Sequence, residues 1–321
     1  MASFLITGGT GLIGSALIKR LKTSPARITV LTRDRVSANQ KLGFDIRAVE
    51  SLREIAASES FDYVINLAGA PIADARWSTS RKLVLWQSRV ELTQKLVSWI
   101  NSRDLPPKLM LTASAVGWYG DCGDTVVDER DEANSEFTHQ LCDAWEKAAK
   151  PACQAGTRLV IVRLGIVIAP KGGFLEKLKL PFRLGLGARL GRGQQYLSWI
   201  HIDDVISAFM FFIKVRSDAA NEGETFAGGE VFNLTSPNPI SNTAFTKALA
   251  NSYSRPTFLV IPAFLLQLLL GELSRLLLCG QRVLPRKLLA LGFKFEYSSI
   301  EPALEQVVVN EANDQTDKRA D

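Results

Sequence analysis

The run Thr7–Gly14 reads TGGTGLIG. Gly9, Gly11 and Gly14 match the spacing GxGxxG, and Gly8, Gly11 and Gly14 match the related TGxxGxxG. Glycines also serve ordinary turns, so the context carries the reading. An apolar run, Phe4 to Thr7, precedes the glycines, and a helical pattern from Leu12 to Lys22 follows them. A strand–turn–helix of this kind aims backbone N–H groups and the positive end of a helix at a pyrophosphate. The glycines let the backbone approach the phosphates, and the last lets helix pack on strand. The turn therefore predicts a dinucleotide site on a Rossmann-type fold.

Outward from this turn, short runs rich in β-branched residues recur at Ile28 to Thr32, Tyr63 to Leu67, Leu109 to Ala113 and Leu159 to Leu164. Helical patterns separate them. Apolar residues at Leu83, Trp86, Val90, Thr93, Val97 and Ile100 form one stripe over 78–100, with Ser78 as its cap. Leu141, Trp145 and Ala148 mark a second helix from about Thr138 to Lys150, and a third starts at Asp203 and buries Ile206, Phe209, Met210 and Ile213. Strands apolar on both faces belong in a parallel sheet covered by helices. The expectation is an α/β fold: a doubly wound parallel sheet with a smaller C-terminal substrate lobe. Residues 1–165 form the nucleotide domain, and 200–235 return to it through the strand Val231 to Leu234. Residues 166–199 and 236–309 form the lobe. Lys171 to Gly193, where glycines and arginines break the rhythm, reads as a substrate loop. The charged stretch 310–321 reads as a disordered tail.

Composition narrows the partners. The 321 residues are 46% hydrophobic and 22% charged, with 38 basic and 33 acidic side chains and a net charge of +5. The basic residues are scattered singly, without a run that would track nucleic acid. Two histidines, His139 and His201, give no metal-ligand spacing. Cys122, Cys142, Cys153 and Cys279 form no CxxC pair and read as reduced thiols of a cytoplasmic protein. The N-terminus enters a strand at once, without a secretory pattern. The apolar stretch Phe258 to Leu278 is interrupted by Pro262, Gln267, Gly271, Glu272 and Arg275, so it predicts a buried or interface helix and no membrane contact. Through its part near Leu265 two subunits could pair as a homodimer. The expected partner is a small-molecule substrate.

The second strand ends ITVLTRDR. A carboxylate at its tip would accept hydrogen bonds from the ribose hydroxyls of NAD, but Thr32 stands there, followed by Arg33 and Arg35. Guanidinium groups suit a 2′-phosphate, which favours NADP(H) over NAD(H). Asp34 between the arginines and the chance that both are simply solvated stand against this.

With NLAGAPIADARW from Asn66, SAVGWYGD from Ser114, FTHQLCDAWE from Phe137, PFRLGLG from Pro181 and GRGQQYLSWIHIDD from Gly191, the chain resembles the extended short-chain dehydrogenase/reductase superfamily. It is most similar to the NAD(P)-dependent epimerase-like subfamily of epimerase family proteins, over about Ala2 to Val309. The resemblance implies that Gly8, Thr10, Gly11, Leu12 and Ile13 hold the pyrophosphate, with Thr32 and Arg33 on the adenosine side. It places Leu67, Ala68 and Gly69 along the cofactor, Arg89 reaching it from a helix, and Arg163 to Val167 beside the nicotinamide half. Ser114 takes the position of the superfamily's catalytic serine.

The same resemblance exposes a departure. Hydride exchange at a carbinol needs a proton donor or acceptor on the oxygen. The superfamily uses a tyrosine with a lysine four residues later. Here Tyr63, Tyr119, Tyr196, Tyr253 and Tyr297 are followed at that spacing by Leu67, Gly123, Ile200, Thr257 and Glu301. Aligned on Glu146, Thr138 stands for the tyrosine and Cys142 for the lysine, and neither can do the same chemistry. Tyr119 could substitute as the acid, or be packing. His139 could relay a proton, or merely cap a helix. His201 and Asp203 could be an acid–base pair on the substrate side, or a loop brace and a helix cap. Arg183, Arg189 and Arg192 could clamp an anion, or stay solvated. Two functions follow: an NADP(H)-dependent oxidoreductase or epimerase on a carbonyl or carbinol, such as a sugar nucleotide, and a non-catalytic NADP(H)-binding regulatory protein.

Overall fold

The computed structural model describes residues 1–219 and 229–309. Its centre is a seven-stranded sheet: β1 (Ala2–Thr7), β2 (Ala26–Leu31), β3 (Arg47–Val49), β4 (Tyr63–Asn66), β5 (Leu109–Ala115), β6 (Arg158–Leu164) and β7 (Glu230–Leu234). Every pairing is parallel, in the order β3-β2-β1-β4-β5-β6-β7. This is the doubly wound Rossmann arrangement, reversing its winding between β1 and β4.

Period-two alternation explains why both faces are covered. Phe4, Ile6, Leu109, Leu111, Val160 and Val162 face one core, and Leu5, Met110, Leu159 and Ile161 face the other. The first face is closed by α1 (Leu12–Leu21) and α7 (Ile202–Ala219), which pack together, and the second by α4 (Leu92–Asn101). α7 starts next to the expected Asp203 and buries Ile206 and Phe209. α5 (Phe137–Ala149) buries Leu141 and Trp145, as its pattern predicts.

The stripe over 78–100 is only half followed. α3 (Thr79–Trp86) and α4 are joined by a π-helical turn, Gln87–Glu91. An i→i+5 turn accommodates one extra residue and shifts the phase of whatever precedes it. Val90, Thr93, Val97 and Ile100 are therefore buried as expected, but upstream Leu85 faces inward while Leu83 and Trp86 are exposed.

The lobe has its own core of Ile168, Leu175, Phe182, Trp199, Phe245 and Leu304. Lys171 to Gly193 is not one loop. Gly172 and Gly173, both at positive φ, turn the chain into α6 (Gly173–Arg183), and Ala188–Leu190 then pairs in parallel with Leu259–Ile261. α8 (Asn242–Ser252) and a helix over 300–309 complete the lobe. The strand Trp199–His201 joins the layers, because Ile200 packs into the sheet core and Trp199 into the lobe core.

The stretch over 258–278, expected as a buried or interface helix, is not one continuous helix. Pro262 and Gly271 divide it into Ala263–Leu270, the turn Gly271–Ser274 and Arg275–Leu278, and most of the first helix is exposed. The tail 310–321 lies outside the described residues. Among the described residues no helix is long and apolar enough to cross a membrane.

Candidate active site

At the carboxyl end of β1 the turn Gly8–Gly11 closes on itself, the Gly11 N–H donating to the Gly8 carbonyl at 2.9 Å. Two glycines there are required by geometry. Gly8 sits at φ 68°, where a side chain would also strike the Leu67 carbonyl, and a Cβ on Gly14 would lie 2.3 Å from the Gly8 oxygen. Gly11 caps α1 with no side-chain hydrogen bond to the first amides. Those amides are left for an acceptor from outside, and the cradle fits a dinucleotide pyrophosphate.

The expected cofactor residues lie along this one edge of the sheet. Leu67 and Ala68 touch the turn through Gly8, and their amides donate to Thr7 Oγ1, both at 3.2 Å. Thr7 in turn donates to Asn66 Oδ1 at 2.7 Å. Asn66 Nδ2 donates to Thr93 and Thr112, and Trp145 also donates to Thr93. This buried network fixes the ends of β1, β4 and β5 relative to one another. Arg89 projects from the π turn, donates to the Ala70 carbonyl at 2.9 Å and lies against the exposed Gly69. Thr10, Leu12, Ile13 and Val167 are half-buried on the same edge, and Leu12 reaches Gly172 and Gly173 at the start of α6.

At the β2 tip the two arginines differ. Arg35 is paired with Glu54, and Asp34 is spent capping α2 (Arg35–Leu42), accepting from the Ser37 amide at 3.0 Å. Arg33 is exposed, and Thr32 half-buried. Sequence reasoning missed Lys41, whose Nζ donates to the Thr10 carbonyl at 2.7 Å and adds a second cation beside the turn. No local pattern marks it, since α2 brings it back by its length alone.

At the ends of β5 and β6, where the resemblance expects the nicotinamide half, Ser114 and Arg163 stand in register and share Glu146. Glu146 Oε1 accepts from Ser114 Oγ at 2.7 Å and from Arg163 Nε at 2.9 Å, and Oε2 accepts from Arg163 Nη2 at 3.0 Å. All three are buried, and the guanidinium lies 3.4 Å from the Trp118 ring centroid. The Arg163 side chain is thus turned inward, and only the backbone around it can flank a nicotinamide. That correction was not legible, because Glu146 reaches it from a different element.

Of the two readings of Tyr119, acid or packing, the geometry fits packing. Its ring is fully buried, its hydroxyl donates to Asn233 Oδ1 at 2.8 Å, and burial pushes the phenol up to about 12. Cys142, at the lysine position, is buried and its thiol is likewise raised to about 12, so it supplies no charge. Thr138 is buried against Gly117, while His139 is half-buried with Nδ1 2.6 Å from the Trp118 carbonyl, which can only accept.

His201 does not reach a substrate. It is fully buried, its ring centroid 4.0 Å from that of Tyr297 and tilted 41° to it, with Nδ1 accepting from the Asp203 amide at 3.3 Å and Nε2 facing Gln306 Oε1 at 3.1 Å. Burial holds its pKa below the ordinary value. The unforeseen anchor is the next residue along, Asp204, which is buried and accepts from the amides of Glu296 and Tyr297 at 2.7 and 3.0 Å.

On the lobe side lies a cavity of about 60 Å³, lined in part by Val116, Ile166, Phe174, Leu190 and Leu277; Ser114 does not line it. Its polar groups are largely used by the protein: Gln195 Nε2 donates to the Leu190 and Leu277 carbonyls, and Asn242 Oδ1 accepts from the Leu190 amide. Among the described residues no lysine, arginine or carboxylate lines it. Arg183 and Arg192 are exposed and outside it, so the structure does not assemble the expected anion clamp there. Among the described residues no cluster of three or more His, Cys, Asp or Glu could hold a metal ion.

Residues 4–234 match the model of the NAD dependent epimerase/dehydratase family. The chain belongs to that family. Residues 261–307 match a second model, described only as a domain of unknown function. An epimerase family protein of Staphylococcus aureus strain MRSA252 is 39% identical over 310 residues, spanning 96% of this chain and 99% of its own. A human epimerase family protein crystallised with NADPH superposes with a TM-score of 0.84 at 30% identity, over 96% of this chain and 99% of its own. A nucleoside-diphosphate sugar epimerase of Corynebacterium glutamicum gives a TM-score of 0.70 at 25% identity, over 99% of this chain and 67% of its own. This family member therefore shares the fold of that sugar epimerase, while none of its five tyrosines is followed four residues later by a lysine.

Proposed function

We propose that this family member is an NADP(H)-dependent oxidoreductase or epimerase acting on a carbonyl or carbinol. The observation that carries the proposal is the uncapped, glycine-walled start of α1, on a sheet edge with Arg33 at one end and, past Leu12 and Gly173, the cavity lined by Phe174 and Ile166 at the other. NADP(H) supplies or removes hydride when bound. The chain's own residues hold the pyrophosphate at Gly8 to Ile13 and meet the 2′-phosphate with Arg33, supported by Lys41. The cavity lining suits a small uncharged substrate better than a sugar nucleotide, whose diphosphate would find no cation there. Among relatives, the human protein crystallised with NADPH supports the choice of cofactor.

A second reading, non-catalytic NADP(H) binding that regulates folding or a partner, is favoured by one observation. Ser114, Glu146, Arg163 and Tyr119 are all committed to internal bonds. Fluorescence titration with NADPH and NADH tests what the readings share, and fails it if neither binds or NADH binds more tightly. Turnover of a panel of neutral aldehydes and ketones separates them: NADPH consumption supports the enzyme, and binding without turnover supports the regulator.

A further inference from the structure

The lobe carries an exposed apolar face that the cofactor site does not use. The helix Ala263–Leu270 reads AFLLQLLL, and of its apolar side chains only Leu266 is buried. Phe264, Leu268 and Leu269 are 69%, 71% and 59% exposed. A helix apolar on every side is ordinarily covered by protein or by lipid. The face extends beyond it. Leu259–Ile261, just before the helix, pairs with Ala188–Leu190, and Arg255 Nε donates to the Arg183 carbonyl at 2.9 Å, which brings in Phe258, Leu180 and Leu184, 76%, 66% and 63% exposed. Patches this continuous mark interaction sites.

Charge selects the occupant. Segments 177–192 and 253–270 contain six cationic residues, and the carboxylates that flank them, Glu176 and Glu272, are paired with Lys179 and Lys82. Lys177 and Lys179 are paired with Asp74 and Glu176, Arg189 is partly buried, and Arg183, Arg192 and Arg255 are exposed. A second copy seated on this face would leave these arginines without a counter-charge from the two segments, whereas an anionic surface supplies one. An apolar surface carrying phenylalanines and leucines, edged by arginines, matches the boundary between headgroups and acyl chains of an anionic bilayer. The helix is far too short to span one.

We propose that this face docks the protein on anionic lipid surfaces, inserting the Phe258 and Phe264–Leu269 side chains while Arg183, Arg192 and Arg255 meet lipid phosphates. The test is co-sedimentation of the full chain with phosphatidylcholine vesicles, with and without 30% phosphatidylglycerol. The expected result is binding to the anionic vesicles at least tenfold stronger than to the neutral ones, weakened by salt. Removing each arginine charge should weaken it roughly fivefold. Phe264→Ser with Leu268→Ser should abolish binding while thermal stability and NADPH affinity stay unchanged. Because these side chains are exposed, both variants fold, and Arg183→Gln with Arg192→Gln gives an independent readout. The proposal is overturned if anionic and neutral vesicles bind alike, if neither binds, or if sedimentation velocity shows a dimer dissociated by the serine variants.

Discussion

Replacing Glu146 by leucine removes the acceptor of three hydrogen bonds at 2.7, 2.9 and 3.0 Å, in a site where Glu146 and Arg163 side chains are 6% and 5% exposed. Arg163 then keeps its charge with no counter-ion, and the Ser114 hydroxyl loses its acceptor. Breaking one partner of a buried pair costs about 3–5 kcal/mol. The cation–π contact with Trp118 persists and offsets a part of that. For a chain of this size about 2 °C is lost per kcal/mol, so the melting temperature of Glu146→Leu should fall by roughly 6–10 °C. Arg163→Met alone should cost less, because Glu146 keeps the Ser114 hydroxyl as a donor. The double variant places two apolar side chains in the same space and should recover most of the loss, within about 1 kcal/mol of the parent. Differential scanning calorimetry of the four proteins, each with and without NADPH, completes the cycle. Additive losses in the double variant, or a loss below about 1 kcal/mol in Glu146→Leu, would refute the assignment of this pair as a buried, mutually dependent unit.

Arg33→Ala should weaken NADPH by roughly tenfold or more and leave NADH unchanged, whereas Arg35→Ala, already paired with Glu54, should change neither much; equal losses for both cofactors would remove Arg33 from the 2′-phosphate. Gly14→Ala should abolish cofactor binding in the same titration, since its Cβ would sit 2.3 Å from the Gly8 carbonyl oxygen. Tyr119→Phe should leave NADPH affinity and any turnover intact while lowering stability by about 1–2 kcal/mol in urea unfolding, because Asn233 loses a buried donor. Burial depresses the His201 pKa below its unfolded value of 6.5, so the unfolded chain binds the proton first. Stability from this group is therefore complete above pH 6.5 and is lost as pH falls below it, and His201→Gln should flatten melting temperature between pH 7 and 5.

What the sequence made legible was local. The glycine turn, the two-faced strands and the capped helices each carry their signal within a dozen residues, and the alternation of strands with helices marked a doubly wound parallel sheet without giving its strand order. What it hid was the closing of distant residues on one another. Arg163 reads as a cofactor residue until Glu146, on α5, draws its guanidinium inward. Tyr119 reads as a spare acid until Asn233, on β7, takes its hydroxyl. Leu83 and Trp86 read as core because a 3.6-residue period does not anticipate one wide turn. The apolar stretch from Phe258 was read correctly as interrupted, yet its exposure depends on which neighbours the lobe supplies.

The seventh strand has a consequence for biosynthesis. β7 hydrogen-bonds to β6, but in the chain it follows the whole first part of the lobe. A nascent polypeptide has therefore made α6, α7 and the strand Trp199–His201 before Phe232 and Leu234 leave the ribosome to seal the sheet. Until they do, β6 presents an unpaired edge with Val160 and Val162 beside it, the kind of edge on which misassembly begins. Maturation of the nucleotide-binding half thus waits on residues translated late, and a chain interrupted before residue 230 should behave as an aggregation-prone fragment rather than as a free-standing domain.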